Sequence, residues 1–338
     1  MIMFHFHVAS EKLSKNQETA AGLGHAVRCR AVSNLLNEKS IFCVNRSDEA
    51  EKYCRVHNLN FIFEDRLNDF LLNNCVKVII SDINYLNGDY IKIYETHRIP
   101  TVCLAPRGSF KHMSSLAFSD ILDRDVNIQE IPRNDGLKIG FDYVIIRDDI
   151  LSLQHKCVTE KSRKKIIISM GGSDTFDMTS KVIKNLSKLS SEYTLDIVLG
   201  ELYDNSNSLY EVCKQNLSCE YNIIKSPKNF ALLLNSSTIG IFGSGIVTYE
   251  AMFLGVIPLN FGHSRFHARR AIEIEKNKAG FYIGDFRRRQ CFPELLEKIK
   301  HLYADEKLLR EMSSNAKLTI DGKGLNRVVN AIKNKNWI

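Results

Sequence analysis

The chain has 338 residues, of which 44% are hydrophobic and 25% charged, and its formal net charge is +7. This length exceeds what one hydrophobic core usually organises, so we expect two domains. The composition is that of an ordinary globular protein. The positive charge suits an anionic ligand. Because the basic residues are spread along the chain rather than gathered into a tail, we expect no nucleic-acid partner.

Nine cysteines occur at irregular spacing and without a Cys-x-x-Cys pair, so the sequence predicts neither a zinc site nor a redox dithiol. Buried thiols in a reducing compartment explain them better. The apolar stretch at residues 1–8 is too short for a signal peptide and lacks its basic start and its small-residue cleavage site. No later run reaches the roughly 20 apolar residues that are needed to cross a bilayer. We therefore expect a cytoplasmic protein without stable membrane insertion.

Strand-like runs alternate with helical patterns along the whole chain. The predicted strands are residues 3–8, 40–45, 60–63, 76–81, 101–104, 165–170, 194–199, 221–224, 239–242 and 256–261, with a strand-like stretch at 143–146. The predicted helices are residues 26–37, 50–57, 89–97, 178–189, 228–235, 246–255, 267–277, 292–304, 306–316 and 326–334. This alternation is typical of βαβ units in doubly wound α/β sheets with parallel strands.

The chain changes character at residues 148–165, which end in a basic run at 161–165. We interpret this stretch as the domain linker and the basic run as a solvated crossing rather than a binding patch. The first domain is therefore expected at residues 1–155 and the second at residues 164–320. Residues 321–338 are expected to form a C-terminal helix, for which packing back on the first domain is one possibility.

Gly22 and Gly24 precede His25 at the point where a polar loop turns into a helix. Glycine lets a ligand approach the backbone closely, and the first amides of a helix have no partners within the helix. Together with the positive end of the helix dipole, these amides favour an anion. The same dipole disfavours a cationic imidazole, so we expect His25 to be neutral near pH 7 and able to accept a proton.

Two further glycine-rich turns follow predicted strands of the second half. They comprise Gly171, Gly172, Ser173 and Asp174 in one turn and Gly243, Ser244 and Gly245 in the other. None of the three turns fits the phosphate-loop pattern or Gly-x-Gly-x-x-Gly. Because ligands of open α/β sheets bind at the carboxyl ends of the strands, three such turns in two domains favour a ligand held in an interdomain cleft.

Three charged residues lie near these turns or strand ends. Glu250 lies in the helix after the third turn, where its carboxylate could accept both hydroxyls of a ribose, and the alternative is a solvated helix residue. Asp82 follows the strand at residues 76–81 and either caps a helix or turn or takes part in catalysis. Arg147 either clamps a phosphate or anchors the linker, and we favour anchoring.

The histidines outside the glycine-rich loop carry weaker signals. His5 and His7 alternate on the first strand and are interpreted as structural, and without a third ligand nearby the sequence predicts no metal. A basic stretch near the helix at residues 267–277 either lines the cleft or forms a solvated face. It contains His263, Arg265, His267, Arg269 and Arg270.

Residues 22–29 resemble the Gly-x-Gly-His-x-x-Arg-Cys signature of the UDP-sugar hydrolases of pseudaminic acid biosynthesis and of related spore-coat polysaccharide proteins. Residues 143–147, 171–174, 248–251 and 321–324 match the same family in order, so the resemblance spans nearly the whole chain. It implies the GT-B architecture, in which two Rossmann-like doubly wound domains face a central cleft. The N-acetylglucosaminyltransferase of peptidoglycan synthesis shares that architecture.

The resemblance also implies a set of site residues. His25 would activate the water that attacks the anomeric carbon, with Asp82 as the second catalytic residue. The implied nucleotide-sugar-binding residues are Gly22, Gly24, Arg28, Gly171, Gly172, Ser173, Asp174, Gly243, Ser244, Gly245, Thr248, Glu250 and His263. UDP is the favoured nucleotide. No metal or other cofactor is implied, because helix N-termini and basic residues neutralise the leaving diphosphate.

The chain departs from the family pattern on the sugar side. The tyrosine of the family's Asp-x-Tyr-x-x-Asp is Asn84 here, Ala-Pro-Arg-Gly at residues 105–108 replaces an acidic pair, and His263-Ser264 stands for a late Asn-Gln pair. Three functions therefore stay open. The first is a hydrolase of a UDP-linked amino sugar, and the second is a GT-B glycosyltransferase that acts on a surface-glycan hydroxyl. The third is a catalytically silent nucleotide-sugar-binding or scaffold protein, which the retained His25 disfavours.

Overall fold

The computed structural model describes residues 1–8, 24–83, 88–104, 115–121, 136–154 and 164–338, except 173, 175, 202, 204, 263 and 289–291. The chain divides into two compact units. Unit 1 comprises Met1–Ile145 and Lys323–Ile338, and unit 2 comprises Ile146–Gly322. The change of unit therefore precedes the stretch that was predicted as the linker, whose residues 155–163 lie outside the described part of the chain.

The described strands are, in chain order, β1 (Ile2–Phe6), β2 (Ser40–Val44), β3 (Phe61–Phe63), β4 (Val78–Asp82), β5 (Thr101–Leu104), β6 (Leu116–Ser119), β7 (Leu137–Ile139), β8 (Lys164–Ser169), β9 (Tyr193–Leu199), β10 (Glu220–Lys225), β11 (Ile239–Phe242), β12 (Ile257–Gly262) and β13 (Phe281–Asp285). The helices are α1 (Gly24–Leu36), α2 (Asp48–Val56), α3 (Leu67–Asn73), α4 (Gly88–Thr96), α5 (Asp148–Leu151), α6 (Met178–Asn185), α7 (Ser206–Asn216), α8 (Phe230–Asn235), α9 (Ile246–Phe253), α10 (Arg265–Lys276), α11 (Phe292–Ala304), α12 (Glu306–Thr319) and α13 (Gly324–Lys333).

Unit 1 is built on a seven-stranded sheet with the order β3-β2-β1-β4-β5-β6-β7, in which the paired strands run parallel. A parallel sheet buries both faces, so its central strands are apolar at successive positions. In β1, Phe4 packs in the core cluster that also holds residues of α1 and α13. Met3 packs in a second cluster with residues of α3.

Unit 2 repeats this plan with a six-stranded sheet in the order β10-β9-β8-β11-β12-β13. Its paired strands are also parallel. Ile166 and Ile168 of β8 pack in the main core cluster of the unit with residues of α6 and α11, while Ile167 points to the other face and is equally buried. Each unit is thus a doubly wound α/β layer structure, as the alternating pattern predicts.

The strand order reverses once in each sheet, between β1 and β4 in unit 1 and between β8 and β11 in unit 2. In open α/β sheets, ligands bind outside the carboxyl ends of the strands at such a switch point. In unit 1, Asp82 ends β4 beside Phe6 of β1. In unit 2, Ser169 of β8 is paired with Phe242 of β11, so the two glycine-rich turns follow neighbouring strands.

The C-terminal helix α13 belongs to unit 1. Its buried residues join the core cluster that also contains residues of β1 and α1. They are Leu325, Val328, Val329 and Ile332. The helix begins at Gly324, where a Cβ atom would lie 2.0 Å from the carbonyl oxygen of Val144. Glycine at this position therefore allows the first turn of α13 to approach the backbone closely.

Several predicted elements need correction. The strand predicted at residues 143–146 is wrong, because Phe141–Tyr143 forms a 3-10 turn and residues 144–147 have no regular structure. The predicted linker contains the short helix α5. The sequence analysis did not predict helices α3 and α7 or strands β6, β7 and β13. The burial pattern explains part of this, since only Leu209 and Cys213 are buried in α7 and its apolar signal is weak.

Among the described residues, no helix is both long enough and apolar enough to cross a membrane.

We expect Gly324→Ala to destabilise unit 1 by about 1–3 kcal/mol, because the added methyl group meets backbone that cannot rotate away. Trp337, the single tryptophan of the chain, packs against the core of unit 1, so its fluorescence during guanidinium unfolding measures the loss. Gly172→Ala is the matched control, since a Cβ there meets no atom within 4 Å. Equal midpoints for Gly324→Ala and the unmodified protein would contradict this account of α13 docking.

Candidate functional site

His25, Arg28 and Asp82 come together at the switch point of unit 1. His25 is the second residue of α1 and is 9% exposed, and Asp82 at the end of β4 is fully buried. The Nδ1 atom of His25 lies 2.7 Å from Oδ1 of Asp82. Arg28 donates from Nε to Oδ2 at 2.7 Å and from Nη2 to Oδ1 at 2.8 Å. The sequence named all three residues but did not predict that they pair.

The neighbours of Asp82 and His25 bear on the ionisation of the carboxylate and on the tautomer of the imidazole. Burial by itself would raise the pKa of Asp82, but Arg28 and His25 together hold it below its usual value, so the carboxylate is ionised. Nδ1 of His25 lies between an acceptor, Oδ1 of Asp82 at 2.7 Å, and a donor, Nη2 of Arg28 at 2.9 Å. In the tautomer with a hydrogen on Nδ1, the ring donates to Asp82, and Nε2 carries the lone pair that a general base requires.

Asp82 was predicted either to cap a helix or turn or to act in catalysis. Within the described part of the chain, its oxygens accept from His25 and Arg28, and no bond to a helix N-terminus occurs. Gly24 is the first residue of α1, as the predicted loop-to-helix transition requires. Gly22 lies outside the described residues.

The turn after β11 is held from inside unit 2. Ser244 adopts a left-handed backbone with φ of 55°, and its buried hydroxyl donates to the carbonyl of Phe261 at 3.0 Å. Arg270 donates from Nη1 to the carbonyl of Ser244 at 2.8 Å. A Cβ at Gly245 would meet no atom within 4 Å. The hydroxyl of Ser244 thus points into the protein, and the side of the turn at Gly245 is open.

Thr248, one turn into α9, is also used internally. Its side chain is fully buried, and its hydroxyl donates to Oδ1 of Asn260 at 3.1 Å. The sequence assigned Ser244 and Thr248 to nucleotide binding. That role stays a prediction, and in the structure their hydroxyls connect α9 and its preceding turn to β12, because a buried hydroxyl needs a partner.

Glu250 forms an ion pair with Arg147. The carboxylate is buried, with its Oε1 accepting from Nε of Arg147 at 2.8 Å and its Oε2 accepting from Nη2 at 3.4 Å. Burial raises the pKa of Glu250, and Arg147 opposes that rise. Glu250 is therefore not the solvated helix residue that the sequence left as an alternative. Arg147 anchors the start of unit 2 to α9, which is the role favoured for it.

Asp174 is used at the start of α6. Its Oδ1 accepts from the amide of Met178 and its Oδ2 accepts from the amide of Thr179, both at 2.8 Å. The carboxylate thus binds the amides that a helix leaves without internal partners. The nucleotide-sugar-binding role of Asp174 stays a prediction. Gly171 and Gly172 have open space where a Cβ would lie, and Ser173 lies outside the described residues.

In the basic stretch near α10, one arginine is buried inside unit 2 and another is exposed. Ser264 is the N-cap residue of α10 and accepts from the amide of His267. Arg270 is 6% exposed, and its guanidinium carbon lies 4.6 Å from the ring centroid of Phe266 and 5.1 Å from that of Tyr249. Arg270 is thus an internal residue rather than part of a solvated face, while Arg265 is exposed. His263 lies outside the described residues.

His5 and His7 have a third neighbour that the sequence did not reveal. Nε2 of His7 lies 2.9 Å from Oε2 of Glu64, and Nε2 of His5 lies 4.0 Å from the same oxygen. The premise that no third ligand is near was therefore wrong. Burial lowers the pKa of His5 to about 4, so its ring is neutral at pH 7. Burial would raise the pKa of Glu64, but the two imidazoles hold it well below its usual range.

Comparison with known proteins gives distant relatives. No protein-family model matches the chain. It is 19% identical over 322 residues to the spore coat polysaccharide biosynthesis protein SpsG of Bacillus subtilis, covering 91% of this chain and 93% of SpsG. It is 24% identical over 252 residues to the uncharacterized protein MJ1062 of Methanocaldococcus jannaschii, covering 70% of this chain. The match spans about half of MJ1062, 52% of its length.

Solved structures share the fold. MurG of Acinetobacter baumannii aligns with a TM-score of 0.70 and 11% identity, covering 98% of this chain and 99% of MurG. The UDP-GlcNAc 2-epimerase of Neisseria meningitidis, solved bound to UDP-GlcNAc, aligns with a TM-score of 0.67 and 13% identity over 98% and 99%. Anabaena HepE, solved with UDP-glucose, aligns with a TM-score of 0.65 and 12% identity, covering 98% of this chain and 99% of HepE. These likenesses confirm the predicted fold class, two parallel-sheet α/β domains of GT-B type.

We expect Asp82→Asn to destabilise unit 1 by about 3–5 kcal/mol at pH 7, because it leaves the Arg28 guanidinium without its buried counter-charge. The folded-state pKa of Asp82 lies below the unfolded value of about 3.9, so the unfolded chain binds more protons in acid. The contribution of Asp82 is therefore complete above about pH 4 and is lost as the pH falls through the folded-state pKa.

The measurement is guanidinium unfolding, followed by Trp337 fluorescence, between pH 3 and pH 7. Asp82→Asn should weaken the fall in stability at acidic pH as well as lower the stability at pH 7. Asp65→Asn is the matched control, because Asp65 forms a similar but exposed pair with Arg46, and exposed pairs contribute little. If Asp82→Asn and Asp65→Asn lowered the free energy of unfolding equally at pH 7, the buried pair of Arg28 and Asp82 would not stabilise unit 1 more than an exposed pair does.

Proposed function

We propose that the protein is an enzyme that cleaves the glycosyl–phosphate bond of a UDP-linked amino sugar, with water as the acceptor. The observation that carries this proposal is the hydrogen bond between His25 and the ionised, buried Asp82 at the switch point of unit 1. A base oriented by a carboxylate at a ligand-binding edge is the arrangement used to activate a hydroxyl or a water. The resemblance of residues 22–29 to the UDP-sugar hydrolase signature supports the same reading.

In the proposed reaction, Nε2 of His25 accepts a proton from the water as its oxygen bonds to the anomeric carbon. The bond from that carbon to the diphosphate oxygen breaks, and the electron pair leaves with UDP. Asp82 stabilises the imidazolium that forms and holds Nδ1–H in position, as a carboxylate does for the base of a hydrolytic triad. Arg28 keeps Asp82 ionised and is therefore a positioning residue.

We assign nucleotide binding to unit 2. Gly245 is the N-cap of α9 and lies next to open space, so the backbone amides there can receive phosphate oxygens because helix N-termini favour anions. Gly172, in the turn after the neighbouring strand, also has open space where a Cβ would lie. Glu250 is proposed to accept the ribose hydroxyls, with Arg147 holding its carboxylate in place. Support comes from structures of the same fold, since the Neisseria meningitidis epimerase was solved with UDP-GlcNAc and Anabaena HepE with UDP-glucose.

A glycosyltransferase is the second candidate. The TM-score of 0.70 to MurG and the match over 91% of the chain to a polysaccharide biosynthesis protein favour it. In this reaction His25 would deprotonate a hydroxyl of a surface glycan instead of water. The chemistry at the anomeric carbon and the roles of Asp82 and Arg28 are otherwise the same.

The test is release of free nucleotide from UDP-, CMP- and GDP-linked amino sugars by the purified protein. We expect UDP release without any added acceptor, because water alone completes the reaction. Release only after a glycan acceptor is added would identify the glycosyltransferase. Binding of UDP-sugars without release under either condition would refute both enzymatic proposals and leave a binding protein.

The same assay tests the base. His25→Ala is expected to lower kcat by about 10²–10⁴-fold with little change in KM, because general base catalysis contributes that much and His25 is not assigned to ground-state binding. His97→Ala is the matched control, since His97 follows α4 in the same unit and its ring lies 3.0 Å from Asn68. Full turnover by His25→Ala would remove His25 from the mechanism.

Glu250→Ala is expected to weaken UDP binding at least about 10-fold, the loss of roughly one charge-assisted hydrogen bond. Calorimetric titration with UDP and with 2′-deoxy-UDP identifies the ribose contact. The unmodified protein should bind the deoxy nucleotide more weakly, and the variant should bind the two equally. Glu297→Ala, an exposed glutamate of α11, is the control. If the deoxy nucleotide lost the same affinity in Glu250→Ala as in the unmodified protein, the ribose role would be refuted.

A further inference from the structure

We propose that His5, His7 and Glu64 form a binding site for a divalent first-row transition metal ion. One ligand atom from each residue lies within 4.8 Å of the other two. In a tetrahedral site with metal–ligand bonds of about 2.1 Å, ligand atoms lie about 3.4 Å apart. The separations of 2.9 Å and 4.0 Å from Oε2 of Glu64 to the two imidazoles bracket that distance. Small side-chain rotations would therefore suffice to bind the ion.

The second observation is the state of His5. Its side chain is fully buried, and its Nε2 has no hydrogen-bond partner among the described residues. A distance of 4.0 Å to Glu64 is too long for a hydrogen bond. Leaving a buried polar nitrogen without a partner costs about 1–3 kcal/mol. A metal ion among Nε2 of His5, Nε2 of His7 and Oε2 of Glu64 would satisfy this atom.

The other ring nitrogen of His5 is arranged as in metal-binding histidines. Nδ1 of His5 forms a short hydrogen bond with the hydroxyl of Tyr94 on α4. Histidine ligands usually donate their second ring N–H to an outer oxygen, which orients the ring and selects the tautomer. In the tautomer whose Nδ1–H donates to Tyr94, Nε2 presents its lone pair towards Glu64. The ring of Tyr90 packs edge-on against His5 at 4.9 Å between centroids and fixes its plane further.

The fold explains why the three residues meet. Because side chains alternate along a strand, His5 and His7 lie on the same face at the carboxyl end of β1. Glu64 begins the 3-10 turn directly after β3, two strands away in the sheet. His5 and His7 lie on the same face of the sheet as Met3. Asp82 shares a face of β4 with Val78 and Ile80 and therefore lies on the opposite face of the sheet, against which α1 packs. The proposed metal site is therefore separate from the pair of His25 and Asp82.

Two imidazoles and one carboxylate select the class of ion. Imidazole suits Zn²⁺, Fe²⁺ and related ions, whereas Mg²⁺ and Ca²⁺ prefer sites built from oxygen alone. The side chains of His7 and Glu64 remain 21% and 27% exposed. Three protein ligands with an accessible side leave a position for water or a ligand oxygen, as in catalytic rather than closed structural sites.

The test is calorimetric titration of the full-length, metal-stripped protein with Zn²⁺ under reducing conditions. We expect one Zn²⁺ per chain, with affinity lowered by roughly 100-fold or more in His7→Gln and in Glu64→Gln, because even outer partners of a metal site contribute about 10–100-fold. Both variants alter partly exposed residues and should fold. Their circular dichroism and the unfolding of unit 1 followed by Trp337 verify this.

His97→Gln is the matched control and should bind Zn²⁺ like the unmodified protein. Co²⁺ provides a second readout, because coordination by imidazole and carboxylate lacks the intense thiolate charge-transfer band that a cysteine site would show. The proposal is overturned if the unmodified protein binds Zn²⁺ no better than His7→Gln, or if the Co²⁺ spectrum shows thiolate ligation. His25→Ala should leave Zn²⁺ binding intact, so failure of the catalytic proposal and of this one are distinguishable.

Discussion

The arrangement at the edge of unit 1 depends on the buried ion pair between Arg28 and Asp82. Removing two charges from water is costly, so each holds the other in a defined geometry once they are buried. Arg28 lies one turn into α1 and Asp82 ends β4, and the pair therefore ties the start of the helix to the strand. Nδ1 of His25 contacts both partners of the pair, so the position of the ring follows from it.

The switch point of unit 2 is organised differently. There the side chains near the turn are used to hold it, with Ser244 bonded to Phe261 and Arg270 bonded to the carbonyl of Ser244. What faces the open side is backbone at Gly172 and Gly245. The candidate base is thus a side chain of unit 1, whereas the open side of the turns in unit 2 presents backbone. This division matches the proposed roles of base and nucleotide binding.

The sequence predicted the repeated α/β plan well, because buried parallel strands are continuous apolar runs such as that of β8 and because glycines mark the turns after them. It was less informative where the local pattern was weak. Strand β7 has no buried position, so its apolar signal is faint. The stretch at residues 143–146 is apolar because Val144 and its neighbours are buried without forming a strand.

The sequence by itself determined where His25, Asp82 and Glu250 lie along the chain of elements, since their positions follow from the order of strands, turns and helices. Tertiary structure alone decided their partners. Glu250 meets Arg147 across 103 positions of the chain, and Glu64 reaches His7 across 57. Local patterns report burial and hydrogen bonding among near neighbours. Strand order decides which distant side chains share a face, and only the folded sheet displays that order.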